Sequence, residues 1–335
     1  MTIIYALIMF CILVLVHEGG HFIAAKTVGV KVNEFAVGMG PVLFKKIKGE
    51  TQYSVRLFPI GGFCAMEGED DESEDERSFG KRPLWAKAII IIAGSFMNLV
   101  LAIVVLAGIV LYIGIPTTTI DGFSDVSPAK EAGILSGDKI ISIQQHEIKS
   151  WNDITSAISD QKGEKVEIVV DRDGKDISFT MDLVEEKGTG RKIVGILPEV
   201  SRNPFTALAK GAESTWVMTV KMVDVIGQLV TGEVSTKELT GPIGITVAVS
   251  DSVKYGFIYV ANLAALISLN LAIVNMLPFP ALDGGRLVFL IIRKVTGRTI
   301  TDEIEAKVHF VGIMLLFALM IYVTWQDIGR FILKQ

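Results

Sequence analysis

The residues best suited to chemistry lie near the amino terminus, in the order His17-Glu18-Gly19-Gly20-His21. Residues four apart share one face of an α-helix, so both imidazoles can bind a single metal ion. Between them, Glu18 can reach a water molecule on that metal and accept its proton. The spacing predicts a hydrolytic zinc site in which His17 and His21 are ligands and Glu18 is the base.

This motif lies in an apolar segment. From Ile3 to Val16 the chain has no charged residue, and after the motif the apolar run continues to Lys26. Ionisable groups inside a bilayer are costly and are usually functional. The position of the two histidines therefore predicts hydrolysis within the membrane. The alternative is a polar cluster that is buried between helices and has no catalytic role.

Two histidines do not complete a catalytic zinc site, which usually has three protein ligands and an open position for water. The third candidate is Asp283, which follows Pro278 and Pro280 at the end of a later apolar segment. If that segment spans the membrane, Asp283 arrives at the same depth as His17. The alternative role for Asp283 is an N-cap of the helix that begins near Gly285.

The composition indicates a polytopic membrane protein with a soluble insert. Half of the 335 residues are hydrophobic and 21% are charged, which is too apolar for an ordinary soluble domain. The net charge of −5 gives no reason to expect nucleic acid as a partner. Cys11 and Cys64 suggest no disulfide framework, and we expect both to be bystanders. The amino terminus lacks a basic region and a cleavage site, so we expect its apolar segment to be retained.

We predict four transmembrane helices, at about 3–25, 88–115, 257–277 and 308–325. Lysine and arginine are concentrated between the first two helices and between the last two, and none precedes the first helix. The positive-inside rule then places both chain termini outside the cell and both basic loops in the cytosol. The zinc site is expected roughly 10–15 Å below the cytosolic surface.

The segment from Val32 to Met66 has short β-like runs that are separated by glycine and proline turns. Lysines 45, 46 and 48 either protect an exposed edge of this β region or belong to an edge that accepts a substrate strand. The stretch from Glu67 to Glu76 holds eight acidic residues in ten positions. It is expected to be a solvated, mobile loop, with gating as the alternative.

The insert that follows the second helix has its own start and stop signals. Ser127-Pro128 predicts a short capped helix, Ser150 with Asp153 predicts a capping box, and residues 166–181 predict a hairpin. The run SPAKEAGILSGDKIISIQQHEIKSWNDI resembles a PDZ domain across about 80 residues. Residues 205–230 then form an amphipathic helix that lies on the outer membrane surface or packs on the insert.

Four motifs together resemble the site-2 protease family of intramembrane metalloproteases. They are HEGGH, Leu282-Asp283-Gly284, the lead-in Asn275-x-x-Pro278-x-Pro280, and Gly94-Ser95-Phe96-Met97-Asn98 in the second helix. The single PDZ-like insert makes the chain similar to the bacterial RseP-type branch. The resemblance implies that His17, His21 and Asp283 hold Zn²⁺ and that Glu18 is the general base. It also implies a substrate-binding group, namely Asn275, Pro278, Pro280 and Asn98.

The resemblance implies a zinc metalloendopeptidase of regulated intramembrane proteolysis. Its substrates would be single-span membrane proteins already cleaved on the extracytoplasmic side, such as anti-sigma factors or remnant signal peptides. Its other partner would be the lipid bilayer of a bacterial cell membrane. A membrane-anchored zincin is a rival, but it needs a sizeable soluble domain around the motif. A non-enzymatic scaffold built on the insert is another, but it leaves HEGGH and Leu-Asp-Gly unexplained.

The expected fold is a polytopic α-helical membrane protein with a cytosolic-side, membrane-associated β region and an extracytoplasmic PDZ domain. We expect a first helix with HEGGH at 1–25, the β region and acidic loop at 26–87, a second helix at 88–115 and the PDZ domain at 116–201. The remainder is an amphipathic helix and linker at 202–255, a third helix at 256–277, the Leu-Asp-Gly loop and cytosolic link at 278–307, and a fourth helix and tail at 308–335.

Overall fold

The computed structural model describes residues 2–69, 73–161, 163–185, 190–235, 239–297 and 302–331. In these ranges the helices are α1 (Thr2–Thr27), α2 (Leu84–Ile113), α3 (Pro128–Glu131), α4 (Trp151–Ser159), α5 (Pro204–Thr231), α6 (Pro242–Tyr255), α7 (Phe257–Asn275), α8 (Asp283–Thr296) and α9 (Asp302–Phe331). The strands are β1 (Val32–Lys48), β2 (Thr51–Met66), β3 (Ile115–Phe123), β4 (Lys139–Ile143), β5 (His146–Glu147), β6 (Lys165–Arg172), β7 (Lys175–Asp182), β8 (Val184–Glu185), β9 (Lys192–Ile193) and β10 (Ile196–Ser201).

The chain forms two compact units. One unit comprises residues 1–109 and 208–335, and the other comprises residues 110–207. Within the described residues, four helices of the first unit are long and apolar enough to cross a membrane: α1, α2, α7 and α9. These match the four predicted transmembrane helices. On α1, Ile4, Ile8 and Ile12 are about half exposed at a spacing of four, as expected for a stripe that faces lipid.

The β region is one antiparallel pair, β1 and β2, with a strongly irregular register. Residues 34–37 of β1 have partners on both sides, at 62–65 and at 52–55 of β2, while residues 44–48 pair with 51–55. The four predicted runs are therefore parts of two long strands. Among the described strands, residues 62–66 form one edge of this sheet, and the lysine-bearing residues 44–48 form the other.

The region predicted to be a linker contains a further helix, α6, which is packed inside the first unit. Val249 of α6 is buried against Ala6, Met9 and Leu13 of α1. At its amino terminus, the backbone N–H of Gly244 donates a 2.8 Å hydrogen bond to the buried carboxylate of Asp327. The sequence of α6 is not apolar enough to have been identified as a helix that contacts the transmembrane bundle.

Helix α5 packs against α2, a contact that the sequence did not predict. A Cβ on Gly211 would lie 2.8 Å from the carbonyl oxygen of Ile103, so the two backbones are in close contact. Met218 and Met222 pack on the cluster around Leu106. The opposite side of α5 exposes large apolar side chains, among them Trp216, Val220 and Val223.

The second unit is built on a sheet with the strand order β10-β3-β4-β6-β7, with β5 paired to β4. Its core contains Ile140, Ile154, Val166 and Ile168, all of them at most 1% exposed. Ser127 caps α3, and Ser150 with Asp153 forms the predicted capping box of α4. The predicted hairpin is β6 and β7, joined at Asp173-Gly174. Asp138 is buried and accepts two hydrogen bonds from Arg172, each of 2.7 Å.

Candidate active site

The two histidines of the motif converge on one point. One helical turn of α1 separates His17 from His21, and both residues are buried at 8% and 9% exposure. Their Nε2 atoms are 3.2 Å apart, and the rings meet edge to face. The helix therefore aims both lone-pair nitrogens at the same position, as the spacing predicts.

Asp283 of α8 reaches the same position from the far end of the chain. Its Oδ2 lies 3.3 Å from Nε2 of His17 and 3.5 Å from Nε2 of His21. Zinc bonds of about 2.0–2.1 Å in a tetrahedron require ligand atoms roughly 3.3–3.4 Å apart. The three measured distances therefore fit three corners of a zinc tetrahedron. Oδ2 is buried and accepts no other hydrogen bond within the described residues. This oxygen is therefore available to bind a metal.

The N-cap alternative for Asp283 does not fit this geometry. The N-cap of α8 is Leu282, which has extended backbone angles and makes no side-chain cap bond, and Asp283 is the first helical residue. The Asp283 carboxylate instead faces the two imidazoles, with Oδ2 3.3 Å and 3.5 Å from their Nε2 atoms. This orientation suits a metal ligand.

Helix α2 supports the histidines from behind. The carbonyl oxygen of Ile90 lies 2.8 Å from Nδ1 of His21, so Nδ1 carries the proton and Nε2 keeps its lone pair. Gly94 leaves the room that the imidazoles occupy, since a Cβ there would lie 2.7 Å from Cε1 of His17 and would collide with Nε2 of His21. Hydrogen bonds of this kind orient metal-binding histidines and fix their tautomer.

Glu18 opens onto a cavity of about 490 Å³, which His17, His21 and Asp283 also line. Residues 63–66 of the β-sheet edge also line this cavity. Gly62, in the same edge, lies close to the Glu18 side chain. The edge next to the histidines is therefore not the edge that carries the lysines. Cys64 also lines the cavity, and burial raises the pKa of its thiol to about 12, consistent with the expected bystander.

Of the four residues expected to bind substrate, two lie near the cluster of His17, His21 and Asp283. They are Asn275 and Asn98. Nδ2 of Asn275 is 3.3 Å from Nε2 of His17. Asn98 is also close, with Nδ2 3.4 Å from Nδ1 of His17. Asn98 is 0% exposed and is not one of the residues that line the cavity.

The two prolines shape the loop that carries Asp283. A Cβ on Gly285 would collide with the carbonyl oxygen of Phe279, and one on Gly312 of α9 would collide with that of Pro280. The loop is thus packed tightly between α8 and α9. The backbone N–H of Ala281 donates a 2.9 Å hydrogen bond to Nδ1 of His309 on α9. Sequence analysis missed His309 and Gly312, whose only signal was a histidine next to the start of the fourth predicted transmembrane helix.

The described part of the acidic stretch makes specific contacts with the β region. Residues 70–72 lie outside the described residues. Hydrogen bonds from Ser73, Asn33 and Lys31 lower the pKa of Glu67 to about 2. Lys31 also bonds Asp75 at 3.4 Å. Glu69 forms an ion pair with Arg286 at the rim of the cavity.

A family profile and full-length relatives of known name all match this chain over nearly its whole length. The sequence profile of peptidase family M50 matches residues 5–319. The regulator of sigma-W protease RasP from Bacillus subtilis is 32% identical, with 99% of each chain covered. The zinc metalloprotease RasP from Geobacillus kaustophilus is 30% identical, again with 99% of each chain covered. A Clostridium acetobutylicum protein provisionally named a zinc metalloprotease is 37% identical, covering 98% of this chain and 97% of its own.

Two solved structures align with part of the chain. They are the PDZ domains of SdrC-like proteins from Listeria innocua and Listeria monocytogenes, which cover 26% and 25% of this chain and 96% and 86% of their own. The identities are 24% and 23%, and the TM-scores are 0.23 and 0.21. These scores are too low to support a conclusion.

Proposed function

The chain belongs to peptidase family M50 and is a zinc metalloprotease, and we propose that it cleaves single-span membrane proteins within the bilayer. The observation that carries this proposal is the cluster of His17, His21 and Asp283, with ligand atoms 3.2–3.5 Å apart. Two of the three residues belong to α1, a helix apolar enough to span a membrane. A soluble zincin site would not need its ligands there.

In this proposal, His17 and His21 bind zinc through Nε2, and Asp283 binds it through Oδ2. Zinc, when bound, lowers the pKa of a coordinated water to about 7 and polarises a carbonyl group. The Glu18 carboxylate accepts the proton of the attacking water and passes it to the leaving amine. The low exposure of the two histidines, 8% and 9%, strengthens these electrostatic interactions relative to bulk water.

The sheet edge at residues 62–66 is the proposed binding site for the substrate backbone. A helical substrate hides its carbonyl groups in hydrogen bonds, so it must unwind locally before it can be cut. An extended segment can add to an exposed sheet edge by main-chain hydrogen bonds. This edge lines the same cavity as Glu18, which supports its role. Asn275, close to His17, and the loop of Pro278 and Pro280 complete the proposed substrate site.

The proposed topology follows from the distribution of basic residues. Both chain termini and the insert would be outside the cytosol, and the β region and α8 would be on the cytosolic side. The protein would be a multi-pass protein of the bacterial cell membrane, with its zinc site toward the cytosol. We interpret the insert as a single PDZ domain on the basis of its capped helices and sheet.

The proposed substrates are proteins that have already been shortened on the extracytoplasmic side. Anti-sigma factors fit this class, and one relative bears the name regulator of sigma-W protease. Remnant signal peptides also fit, because each is a single apolar span with a short outer end.

The decisive experiment compares wild type with Glu18→Gln in cells and after purification. Glu18→Gln is expected to retain about one zinc per chain, because Glu18 is assigned to the water, while single-span membrane peptides accumulate in the cells. His17→Ala and Asp283→Ala are expected to lose the metal as well as activity. Glu147→Gln, at an exposed position of β5, is the matched control. Full zinc content and full activity in Asp283→Ala would show that the ligand set is wrong.

A further inference from the structure

Helix α2 presents three positions to the two histidines, each one helical turn from the next. Ile90 offers its carbonyl oxygen to Nδ1 of His21, and Gly94 leaves space for both rings. The third position is Asn98, whose amide faces Nδ1 of His17. The Nδ1 atom of His21 therefore faces a hydrogen-bond acceptor, the Ile90 carbonyl oxygen. The group that faces Nδ1 of His17 in the same way is the side-chain amide of Asn98.

The chemistry of His17 decides which end of the Asn98 amide must face it. If Nε2 of His17 keeps its lone pair for a metal, the proton of the neutral ring lies on Nδ1. With Nδ2 of Asn98 3.4 Å away, two N–H groups would point at each other. Meanwhile Oδ1 of Asn98 is buried and accepts no hydrogen bond from the described residues. Turning the amide by 180° resolves both problems, since Oδ1 would then accept the Nδ1–H of His17.

Such a turn changes only the assignment of nitrogen and oxygen, which have nearly the same size and shape. The rest of Asn98 is fixed. It is 0% exposed, and the hydroxyl of Ser268 on α7 donates a 2.8 Å hydrogen bond to its backbone oxygen. The backbone of Asn98 is therefore fixed by the contact between α2 and α7, and its buried amide lies next to His17.

We propose that Asn98 is a positioning residue whose Oδ1 accepts the Nδ1–H of His17 and thereby fixes the tautomer that leaves Nε2 free for zinc. This inference rests on the proposed ligand set, and it replaces the substrate-binding role expected for Asn98. Asn98 and Ile90 then have the same role, which is to accept the Nδ1–H of a histidine. Asn98 does so with its side chain for His17, and Ile90 does so with its backbone carbonyl for His21.

The first test measures zinc affinity by competition with a chelator. Loss of a hydrogen bond behind a metal ligand typically weakens metal binding 10- to 100-fold, and we expect this loss in Asn98→Ala. Asn98→Asp keeps an oxygen acceptor and should stay within about tenfold of wild type. Ser268→Ala is the matched control, because it loosens the same helix contact without touching the imidazole, and it should bind zinc like wild type.

Other outcomes would overturn the proposal. Wild-type zinc affinity in Asn98→Ala, with only a raised KM, would mean that Asn98 acts on substrate. Equal zinc loss in Asn98→Ala, Asn98→Asp and Ser268→Ala would mean that the residue only maintains packing. These results differ from failure of the ligand set itself, which would appear as zinc binding that does not depend on His17.

A second test uses the wild-type protein and does not depend on the stability of a variant. The chain has 4 histidines, so ¹⁵N-labelled histidine gives few signals, and the two that respond directly to zinc binding belong to His17 and His21. The zinc-loaded protein should show a protonated Nδ1 on His17, and that proton should exchange slowly because it is buried and hydrogen-bonded. An unprotonated, metal-bound Nδ1 on His17 would contradict the proposal directly.

Discussion

The backbone N–H of Ala281 donates a 2.9 Å hydrogen bond to Nδ1 of His309. Ala281 lies two residues before Asp283 and has a φ of +79°, in the left-handed region that is costly for a residue with a Cβ. The hydrogen bond offsets part of that cost, and Gly312 lets α9 approach Pro280 closely. Helix α9 thus fixes the loop that brings the third proposed ligand to the two histidines.

His309→Ala is therefore expected to weaken zinc binding although His309 is not a ligand. A hydrogen bond of this kind contributes about 1 kcal/mol, or roughly a fivefold change in an equilibrium constant. His309→Gln retains an acceptor and should recover part of the loss. Chelator competition measures both variants, and His146→Ala, an exposed histidine of the insert, is the control. Identical zinc affinity in His309→Ala and wild type would show that the loop holds its conformation without α9.

The two glycines of the motif are expected to differ sharply in their tolerance of alanine. A Cβ on Gly20 would collide with the carbonyl oxygen of Ala93 on α2, whereas nothing lies within 4 Å of a Cβ on Gly19. Gly20→Ala should separate α1 from α2 and lower both thermal stability and zinc content. Gly19→Ala should keep both, because alanine favours a helix more than glycine does. Equal loss in the two variants would argue against the close approach of α1 and α2.

The parts of the site that the sequence predicted are those set by local geometry or by membrane depth. The spacing of His17 and His21 requires only a helix. The arrival of Asp283 at their depth follows from two apolar segments, the first and the third, that cross the membrane in the same direction. The capped starts of α3 and α4 are also local, since Ser127 and Ser150 bond backbone groups three residues away.

The missed features depend on pairs that are distant in sequence. The bond between Ala281 and His309, the position of Asn98 behind His17, and the packing of α6 on α1 leave no periodic signal. The register of the β region could not be predicted from the sequence either, because residues 34–37 pair with residues 62–65 on one side and 52–55 on the other. Glycine was the most useful local hint, since Gly20, Gly94 and Gly312 each lie where two backbones or a ring would collide with a side chain.

The buried pair of Asp138 and Arg172 is expected to stabilise the insert in a pH-dependent way. Hydrogen bonds from Arg172 lower the pKa of Asp138, so its contribution is fully present above the unfolded-state pKa, about 3.9. The contribution is lost as the pH falls through the lower, folded-state pKa. Asp138→Asn should therefore cost about 2 kcal/mol near neutral pH, and the difference from wild type should shrink below about pH 4.

Hydrogen exchange of the insert in the full-length protein measures this stability. Arg172 is partly exposed, which limits the size of the effect. Asp176→Asn, at an exposed position of β7, is the control and should exchange like wild type at every pH. A destabilisation by Asp138→Asn that is constant down to pH 3 would mean that the charge of Asp138 is not the cause.

The proposed topology predicts opposite labelling of two engineered cysteines. The background is a chain without Cys11 and Cys64, both of which are free thiols. In intact cells, Glu76→Cys should react with an impermeant reagent only after the membrane is opened, and Lys175→Cys should react at once. Both positions are exposed, so a cysteine that does not react is one that the membrane separates from the reagent. The reverse pattern would place the zinc site near the outer surface.

The last prediction concerns what the insert does for proteolysis. A folded unit of about 80 residues has a radius of gyration near 12 Å, so it can obstruct the approach of a substrate with a bulky outer domain. The competing role is peptide binding, and a cavity of about 590 Å³ lies between Ile154 and Ile158 of α4 and the sheet-edge strand β10. Arg191 also lines this cavity.

The strand pairing allows a clean deletion. Ile120 of β3 is the partner of Pro198 of β10, and neighbouring strands are only about 5 Å apart, so a short Gly-containing turn can replace residues 122–197. If the insert obstructs substrates, the deletion variant should keep its zinc and cleave substrates that have not been shortened. Thr155→Arg, at an exposed position that lines the groove, blocks the groove but leaves the obstruction, and it should then cleave shortened substrates normally. Loss of that cleavage in both variants, with zinc retained, would establish that the groove recruits substrate.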